Sequence, residues 1–368
     1  MGFNCGIVGL PNVGKSTLFN AITESSKAQA ANYPFCTIEP NVGVVEVPDD
    51  RLYQIAKLER SRKITPTFVE FVDIAGLVRN ASKGEGLGNQ FLANIRQVDA
   101  IAVVLRCFED ANVVHVEGKV DPIRDAQIID LELIAKDLET VNKRYEKVEK
   151  SAKLGDKPAK DELERLKAIR EILERMEPLR KHLKGLPVET VEYGERVLFL
   201  LTLKPIMYVA NVGEQDLFRG NEHLTRLEEY ARQEDVSLVV ICAKLEEELT
   251  QLEKEEKLEL LKSYGLEEPG LNRFVREGYR LLNLITFFTA GEKETKAWTV
   301  KEGTKASKAA GKIHSDFERG FIAAEVINYK EYIKVGSMTK AKELGFVRLE
   351  GKNYTVKDGD IIYFRFNV

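Results

Sequence analysis

Over the first 120 residues short apolar runs alternate with stretches of helical period, the pattern of a parallel sheet wound with helices on both faces. The runs 3–8, 42–47, 67–73 and 100–106 read as strands. Two later runs, 205–211 and 237–242, are rich in Val and Ile and bounded by polar turns, and they read as further strands of the same sheet. Between them the period changes. Apolar residues fall at Leu131, Ile134, Leu138, Val141, Tyr145 and Val148, spacings of 3, 4, 3, 4 and 3, which is a heptad seam. Leu-Gly-Asp-Lys-Pro at 154–158 breaks it, and a second seam follows through Leu163, Leu166, Ile169, Leu173 and Met176. Two antiparallel helices joined by a short tip are expected, a coiled-coil hairpin inserted at about 128–184. At 1.5 Å per residue it would reach about 30 Å. Such an arm is too narrow to own a catalytic pocket, so its role would be contact. After residue 283 short strand-like runs (285–289, 297–300, 346–349, 361–366) surround one helical stretch at 306–320, a small α+β module. The predicted organisation is a doubly wound α/β body over 1–283, interrupted by the hairpin, and a C-terminal domain over 284–368.

Composition removes several alternatives. Of 368 residues 43% are hydrophobic and 31% charged, with 26 Gly and 11 Pro, which fits neither a disordered nor a collagen-like chain. The longest apolar run, 197–203, ends at Lys204-Pro205, far short of the roughly 20 residues that cross a bilayer. No membrane partner is expected. The chain opens directly into Phe3-Asn-Cys5-Gly6-Ile7-Val8-Gly9, without the basic segment of a secretory signal, so a cytoplasmic protein is expected. Cys5, Cys36, Cys107 and Cys242 are isolated in sequence and read as free thiols, not as a disulfide framework or a zinc site. The net charge is −4, but it is unevenly spread: 142–184 holds 14 basic and 9 acidic residues, and 284–368 holds 15 and 11. Two basic modules on an acidic body suggest contact with a polyanion.

The chemistry is concentrated near the N-terminus. Gly9-Leu-Pro-Asn-Val-Gly14-Lys15-Ser16 matches G-x-x-x-x-G-K-[ST], after an apolar strand and before a helix beginning at Thr17. The glycines let backbone N–H groups from Asn12 and Val13 onward turn toward the β-phosphate, Lys15 neutralises charge between the β- and γ-phosphates, and the Ser16 hydroxyl ligates Mg²⁺. Asp73-Ile-Ala-Gly76 has the D-x-x-G form in which the Asp reaches Mg²⁺ through water and the Gly N–H senses the γ-phosphate. Thr37, in the loop 32–40, is placed to bring its hydroxyl to the metal. The element that reads guanine in GTPases is N-K-x-D, and Asn211-Val212-Gly213-Glu214 stands in its place, without the Lys and with Glu for Asp. Cys242-Ala243-Lys244 occupies the position of the S-A-K base loop. Two readings of the base compete, with adenine favoured because its N6 amino group can donate to Asn211 or to a backbone carbonyl.

Together these residues resemble the YchF subfamily of Obg-related P-loop NTPases, the Obg-like ATPases. The resemblance spans the whole chain and rests on Gly9 to Ser16, Asp73-Ile-Ala-Gly-Leu77, Gly84-Glu-Gly-Leu-Gly88-Asn, Asn211 to Glu214, the hairpin, and a C-terminal module similar to a TGS domain. It implies a P-loop NTPase fold with a mostly parallel sheet, a β-grasp fold for the last 80 or so residues, and a monomeric cytosolic ATPase. That enzyme would use Mg²⁺, be weakly active alone, tolerate GTP, and associate with ribosomes or ribosomal RNA through the hairpin and C-terminal domain. Ras-like enzymes orient the attacking water with a glutamine after D-x-x-G, but Leu77 stands there, so intrinsic hydrolysis of ATP to ADP and phosphate should be slow. The resemblance points instead to His115 in the loop 112–118, whose neutral imidazole would orient the water or take its proton. It also matches Asn12 to an asparagine that helps hold K⁺ against the phosphates, beside Lys15. Three other readings stay open: a GTPase of the Obg type acting in translation or ribosome assembly, a metabolic kinase, against which D-x-x-G and Thr37 weigh, and a non-hydrolysing scaffold. RNA contact would be salt-dependent and directed at shape and backbone, since no RNP-type motif is present.

Overall fold

The apolar runs of the N-terminal half become strands because they are rich in β-branched residues, and the central run 100–106 is buried on both faces, as parallel sheets require. The structure is a computed structural model that describes residues 3–30, 41–75 and 87–367. Its strands are β1 (Asn4–Val8), β2 (Val42–Glu46), β3 (Ile64–Thr65), β4 (Phe68–Asp73), β5 (Ala100–Arg106), β6 (Ile206–Asn211), β7 (Ser237–Ile241), β8 (Leu284–Thr289), β9 (Thr295–Lys301), β10 (Phe321–Asn328), β11 (Arg348–Glu350) and β12 (Asp360–Phe366). They form two sheets, in two compact units: 1–44 with 70–277, and 45–69 with 278–368.

The first sheet has the order β2-β4-β1-β5-β6-β7, and β1 pairs in parallel with β4 and β5, β5 with β6, and β6 with β7. Bonds from Asp73 N–H to Asn41 O (2.8 Å) and from Val47 N–H to Thr67 O (2.9 Å) run in opposed register, so the edge strand β2 is antiparallel. Every residue of β5 is buried, as befits a central strand. The strand order reverses around β1, so the carboxyl ends of β1, β4, β5 and β6 open on the crevice where such sheets bind ligands.

The hairpin consists of the helices Pro122–Lys153 and Lys157–Glu174. Asp121 caps the first by accepting from the Arg124 N–H, with Pro122 in the first turn, and Gly155 at φ 95° makes the tip. The second helix, 18 residues, sets the paired length at about 27 Å. Most seam positions are packed: Ile134, Val141, Val148, Leu166, Ile169 and Leu173 are buried together, with Leu138, Tyr145 and Leu163 against them. Two expected positions differ. Leu131 is 47% exposed, because at that height the helix turns Ile129 and Leu133 inward, and Met176, 57% exposed, has left the helix at φ 58°. Buried Asp137 ties the hairpin down, accepting from the Leu201 and Thr202 N–H groups (both 2.8 Å) and the Thr202 hydroxyl (2.7 Å).

The second sheet is mixed, β11-β10-β12-β8-β9-β3, and adjacent residues serve opposite faces. Phe287, Val326 and Ile362 pack with Ala306, Ala309 and Ala310 of the helix Ala306–Ile313. Phe288, Ile327 and Ile361 pack on the other side with Leu52, Ile55 and Tyr332. Leu52 and Ile55 belong to the helix Asp50–Glu59, and β3 pairs with β9. The segment 45–69, which sequence pattern assigns to the nucleotide-binding body, therefore shares a core with the C-terminal region. The single helix expected at 306–320 is two, Ala306–Ile313 and Ser315–Arg319, separated by His314, whose extended backbone lets its ring cap the second. Among the described residues no helix is long and apolar enough to cross a membrane.

Candidate functional site

The turn after β1 carries two residues in the left-handed region, Asn12 at φ 63° and Gly14 at φ 90°. They point the loop's N–H groups into the crevice before the helix Lys15–Ala30 begins. Gly14 admits no substitute, because a Cβ there would lie 2.1 Å from Asn211 Nδ2. Lys15 Nζ forms an ion pair with Asp73 at the end of β4, the two side chains 11% and 24% exposed. Ser16 is exposed and Thr17 half-buried at the start of the helix. The phosphate-loop cation and the D-x-x-G carboxylate thus meet, and Ser16, expected to serve the metal, is the next residue in the chain. Among the described residues no three His, Cys, Asp or Glu side chains converge to hold a metal. One carboxylate and one hydroxyl are, however, the sparse oxygen set that suits Mg²⁺, which keeps several waters and takes the rest of its shell from phosphates. Thr37, Gly76, Leu77 and the stretch 84–86 lie outside the described residues.

The residues expected to read the base line a cavity of about 730 Å³ drawn from four segments, among them Gly14, Thr17, Asp110, Asn211, Glu214 and Ala243. Asn211, 4% exposed, is placed differently from expectation. Its Nδ2 donates to Val13 O (2.9 Å) and its Oδ1 accepts from Ala243 N–H (3.0 Å), so it clamps the phosphate loop to the 242–244 loop. Its oxygen accepts one bond and keeps a second lone pair, so Asn211 and a backbone carbonyl both stay open as acceptors for adenine N6. The amide hydrogen left on Nδ2 suits N7, which both purines carry. Val212 is buried and cannot play the missing lysine's part. Cys242 is the N-cap of the helix Ala243–Thr250, and burial pushes its thiol pKa up. Lys244 is 79% exposed and pairs with Glu214 at 2.8 Å.

The loop after β5 joins the two ends. Arg106, 1% exposed, has no carboxylate partner among the described residues. It donates to the carbonyls of Phe108 (3.0 Å), Val113 (2.9 Å) and Asp110 (3.4 Å) and lies 4.5 Å from the centre of the Phe108 ring. A buried cation is tolerable only when its donors are so matched. It fixes the wall of the base cavity, and the next residue, Val114, accepts from Asn12 Nδ2 (3.0 Å). His115 follows, and its ring is not presented to the crevice as expected. It is buried, its Nδ1 accepts from Glu117 N–H (3.1 Å), and Nε2 faces Asp125 Oδ2 at 2.8 Å. Because Nδ1 is the acceptor, Nε2 carries the hydrogen and donates to Asp125. Burial raises the Asp125 pKa, opposed by His115 and Arg124.

Sequence reading found neither Arg106 nor Asp125. Both carried a signal: a cation closing an otherwise apolar strand, and an acid in line with Ile129 and Leu133 on the inward face of a helix.

Comparison with known proteins follows these features. Residues 4–152 match a family described as a 50S ribosome-binding GTPase, and 284–367 match the C-terminal family of the YchF GTPases, described as a protein of unknown function. The ribosome-binding ATPase YchF of Bacillus subtilis is 54% identical, with all of both chains covered, and that of Haemophilus influenzae is 55% identical, again over all of both chains. The solved YchF GTPase of Schizosaccharomyces pombe superposes with a TM-score of 0.89 at 38% identity, covering 99% of this chain and 98% of that one.

Proposed function

The chain belongs to the YchF family, and from that premise we propose that it is a Mg²⁺-dependent ATPase that acts as a nucleotide switch on the ribosome, hydrolysing ATP to ADP and phosphate slowly. The observation that carries this reading is the meeting of Lys15 and Asp73 under a phosphate loop clamped by Asn211. With a nucleoside triphosphate bound, Lys15 would exchange Asp73 for the phosphates, and Asp73 would be free to serve the metal through water. Bound Mg²⁺ would supply charge neutralisation, held by the Ser16 hydroxyl, by Asp73 and by Thr37. Asn12 Oδ1 accepts no hydrogen bond among the described residues and is the group that would face K⁺.

For the chemical step the proposal assigns His115 as acceptor of the water proton. Asp125 holds its Nε2–H, leaving Nδ1 as the basic nitrogen, and opening of the Glu117 N–H bond would free Nδ1. The buried ring accounts for a low intrinsic rate, since the loop 112–118 must rearrange before water reaches it. GTP is tolerated because the clamp and the phosphate contacts do not distinguish purines.

The partner would be ribosomal RNA, met by the hairpin and the C-terminal domain of a monomeric, cytoplasmic protein. Beside the hairpin helix a cavity of about 340 Å³ is lined by Arg96, Lys136, Lys143, Arg144 and Lys147 against one acid, Glu139, a charge balance suited to backbone phosphates. Phosphate release from ATP, with and without ribosomes, tests the reading: stimulation by ribosomes and its loss in Lys15→Ala are expected. Equal release by Lys15→Ala would refute it.

A further inference from the structure

We propose that Tyr264 is a purine-specificity determinant that, with Lys244, holds the Glu214 carboxylate out of the guanine-reading position. The inference rests on the cavity beside Asn211 being the base site. Glu214 stands where GTPases keep the carboxylate that accepts from guanine N1–H and N2–H₂ together, so the residue itself keeps the needed chemistry. What differs is where its oxygens are directed. Oε1 receives Lys244 Nζ at 2.8 Å, and Oε2 receives the Tyr264 hydroxyl at 3.0 Å. These bonds keep the carboxylate ionised, its pKa lowered by Lys244 first and Tyr264 second. Reading guanine takes both oxygens in one plane along the base edge, and here each oxygen already accepts from a neighbouring donor. The two bonds also keep the negative charge from settling beside adenine N1, whose lone pair it would repel. The same lock therefore disfavours guanine and favours adenine.

The tyrosine is held for this task. It ends the helix Lys254–Ser263, 50 residues after Glu214, and its ring stacks on Phe218 at 5.8 Å with an interplanar angle of 20°. Phe218 lies in the short helix Asp216–Arg219, separated from Glu214 by Gln215 alone. Gly265 at φ 62° lets the chain turn beneath the stack, where a Cβ would lie 3.2 Å from the Phe218 ring. Lys244, largely exposed, is the weaker half of the lock, since solvent and salt screen its pairing. Tyr264 is a positioning residue: it acts through Glu214, without a place in the cavity lining.

The experiment is displacement of fluorescently labelled ADP by ATP and by GTP, with Mg²⁺ at fixed salt, for the full chain and for Tyr264→Phe, Lys244→Met, their double variant, and the double variant with Glu214→Ala. The wild type should favour ATP. The double variant should move the ATP:GTP affinity ratio about tenfold toward GTP, Tyr264→Phe accounting for the larger share, and adding Glu214→Ala should abolish that gain. A ratio within twofold of wild type in the double variant, or an equal shift when Glu214 is absent, would overturn the lock while leaving the base site intact. Failure of the wild type to bind either nucleotide would overturn the base-site reading and the lock with it. Both lock substitutions are at partly or largely exposed positions and keep the stacked ring, and an unchanged circular dichroism spectrum and urea midpoint confirm that each variant is folded.

Discussion

The phosphate end and the base end of the crevice are built in opposite ways. The expected phosphate end comes almost entirely from one continuous stretch, Gly9 to Thr17, whose backbone conformation is set by Asn12 and Gly14, with Asp73 paired to Lys15 and Asn211 bracing the loop from outside. The proposed base end draws on residues 108–113, 211–216 and 242–247, and Glu214 within it is tethered to Tyr264, which lies outside all three. A site made by local backbone geometry is robust and common to many chemistries. One made by side chains from distant segments can change its preference when a single tether changes. The two ends are nevertheless joined, through Asn211 and through the loop that Arg106 holds.

The sharpest way to break this contrast is Asn211→Ala. It removes both bonds of the clamp, so ATP and GTP affinities should fall together by about 100-fold, and urea unfolding should show a loss of about 3 kcal/mol from two buried hydrogen bonds. A fall in ATP affinity alone would mean that Asn211 reads the base and does not brace the loop. Asp125→Asn should next lower single-turnover hydrolysis by about 100-fold with ATP affinity unchanged, because the amide no longer fixes the Nε2–H form of His115. Loss of ATP affinity in parallel with hydrolysis would make Asp125 a structural residue. Arg106→Leu should weaken both nucleotides about tenfold, measured by the same displacement titration, by loosening the 108–113 wall. Unaltered binding would show that the wall stands without its cation.

A carboxylate away from both ends serves as a control on what burial alone does. Burial pushes the Asp137 carboxyl pKa up to about 6 from the ordinary 3.8. The folded state therefore binds its proton more tightly than the unfolded state, so this contribution to stability is greatest below about pH 4 and declines as pH rises to about 6. The stability of the wild type relative to Asp137→Asn should fall by on the order of 2 kcal/mol between pH 4 and pH 7 in urea titrations. A constant difference would mean that the carboxyl titrates normally.

What the sequence made legible follows the same division. The strands around the phosphate loop could be placed within a residue, and the heptad seam found both hairpin helices, though the expected span of about 128–184 differs from the observed 122–174 at each end. The strand β10 escaped because Ala323, Ala324 and the buried Glu325 interrupt its apolar alternation, Glu325 being compensated by Lys342 at 2.7 Å and by Arg365, remote in sequence. The transfer of 45–69 to the C-terminal unit was equally hidden, for Leu52 and Ile55 show an apolar helix face but not which sheet it covers. At the site, Lys15, Ser16 and Asp73 were evident from spacing. The clamping role of Asn211 and the burial of His115 depend on hydrogen bonds between segments up to about 200 residues apart, which no local pattern records.

The central claim is that an intact phosphate end serves a base end turned toward adenine. Competition of ATP and GTP for one labelled nucleotide on the unaltered chain, with Mg²⁺ and in K⁺ buffer, tests it most directly. Tighter binding of ATP, with GTP still competing at higher concentration, is the predicted result. A preference for GTP would contradict it, and would mean that Glu214 reads guanine despite Tyr264 and Lys244.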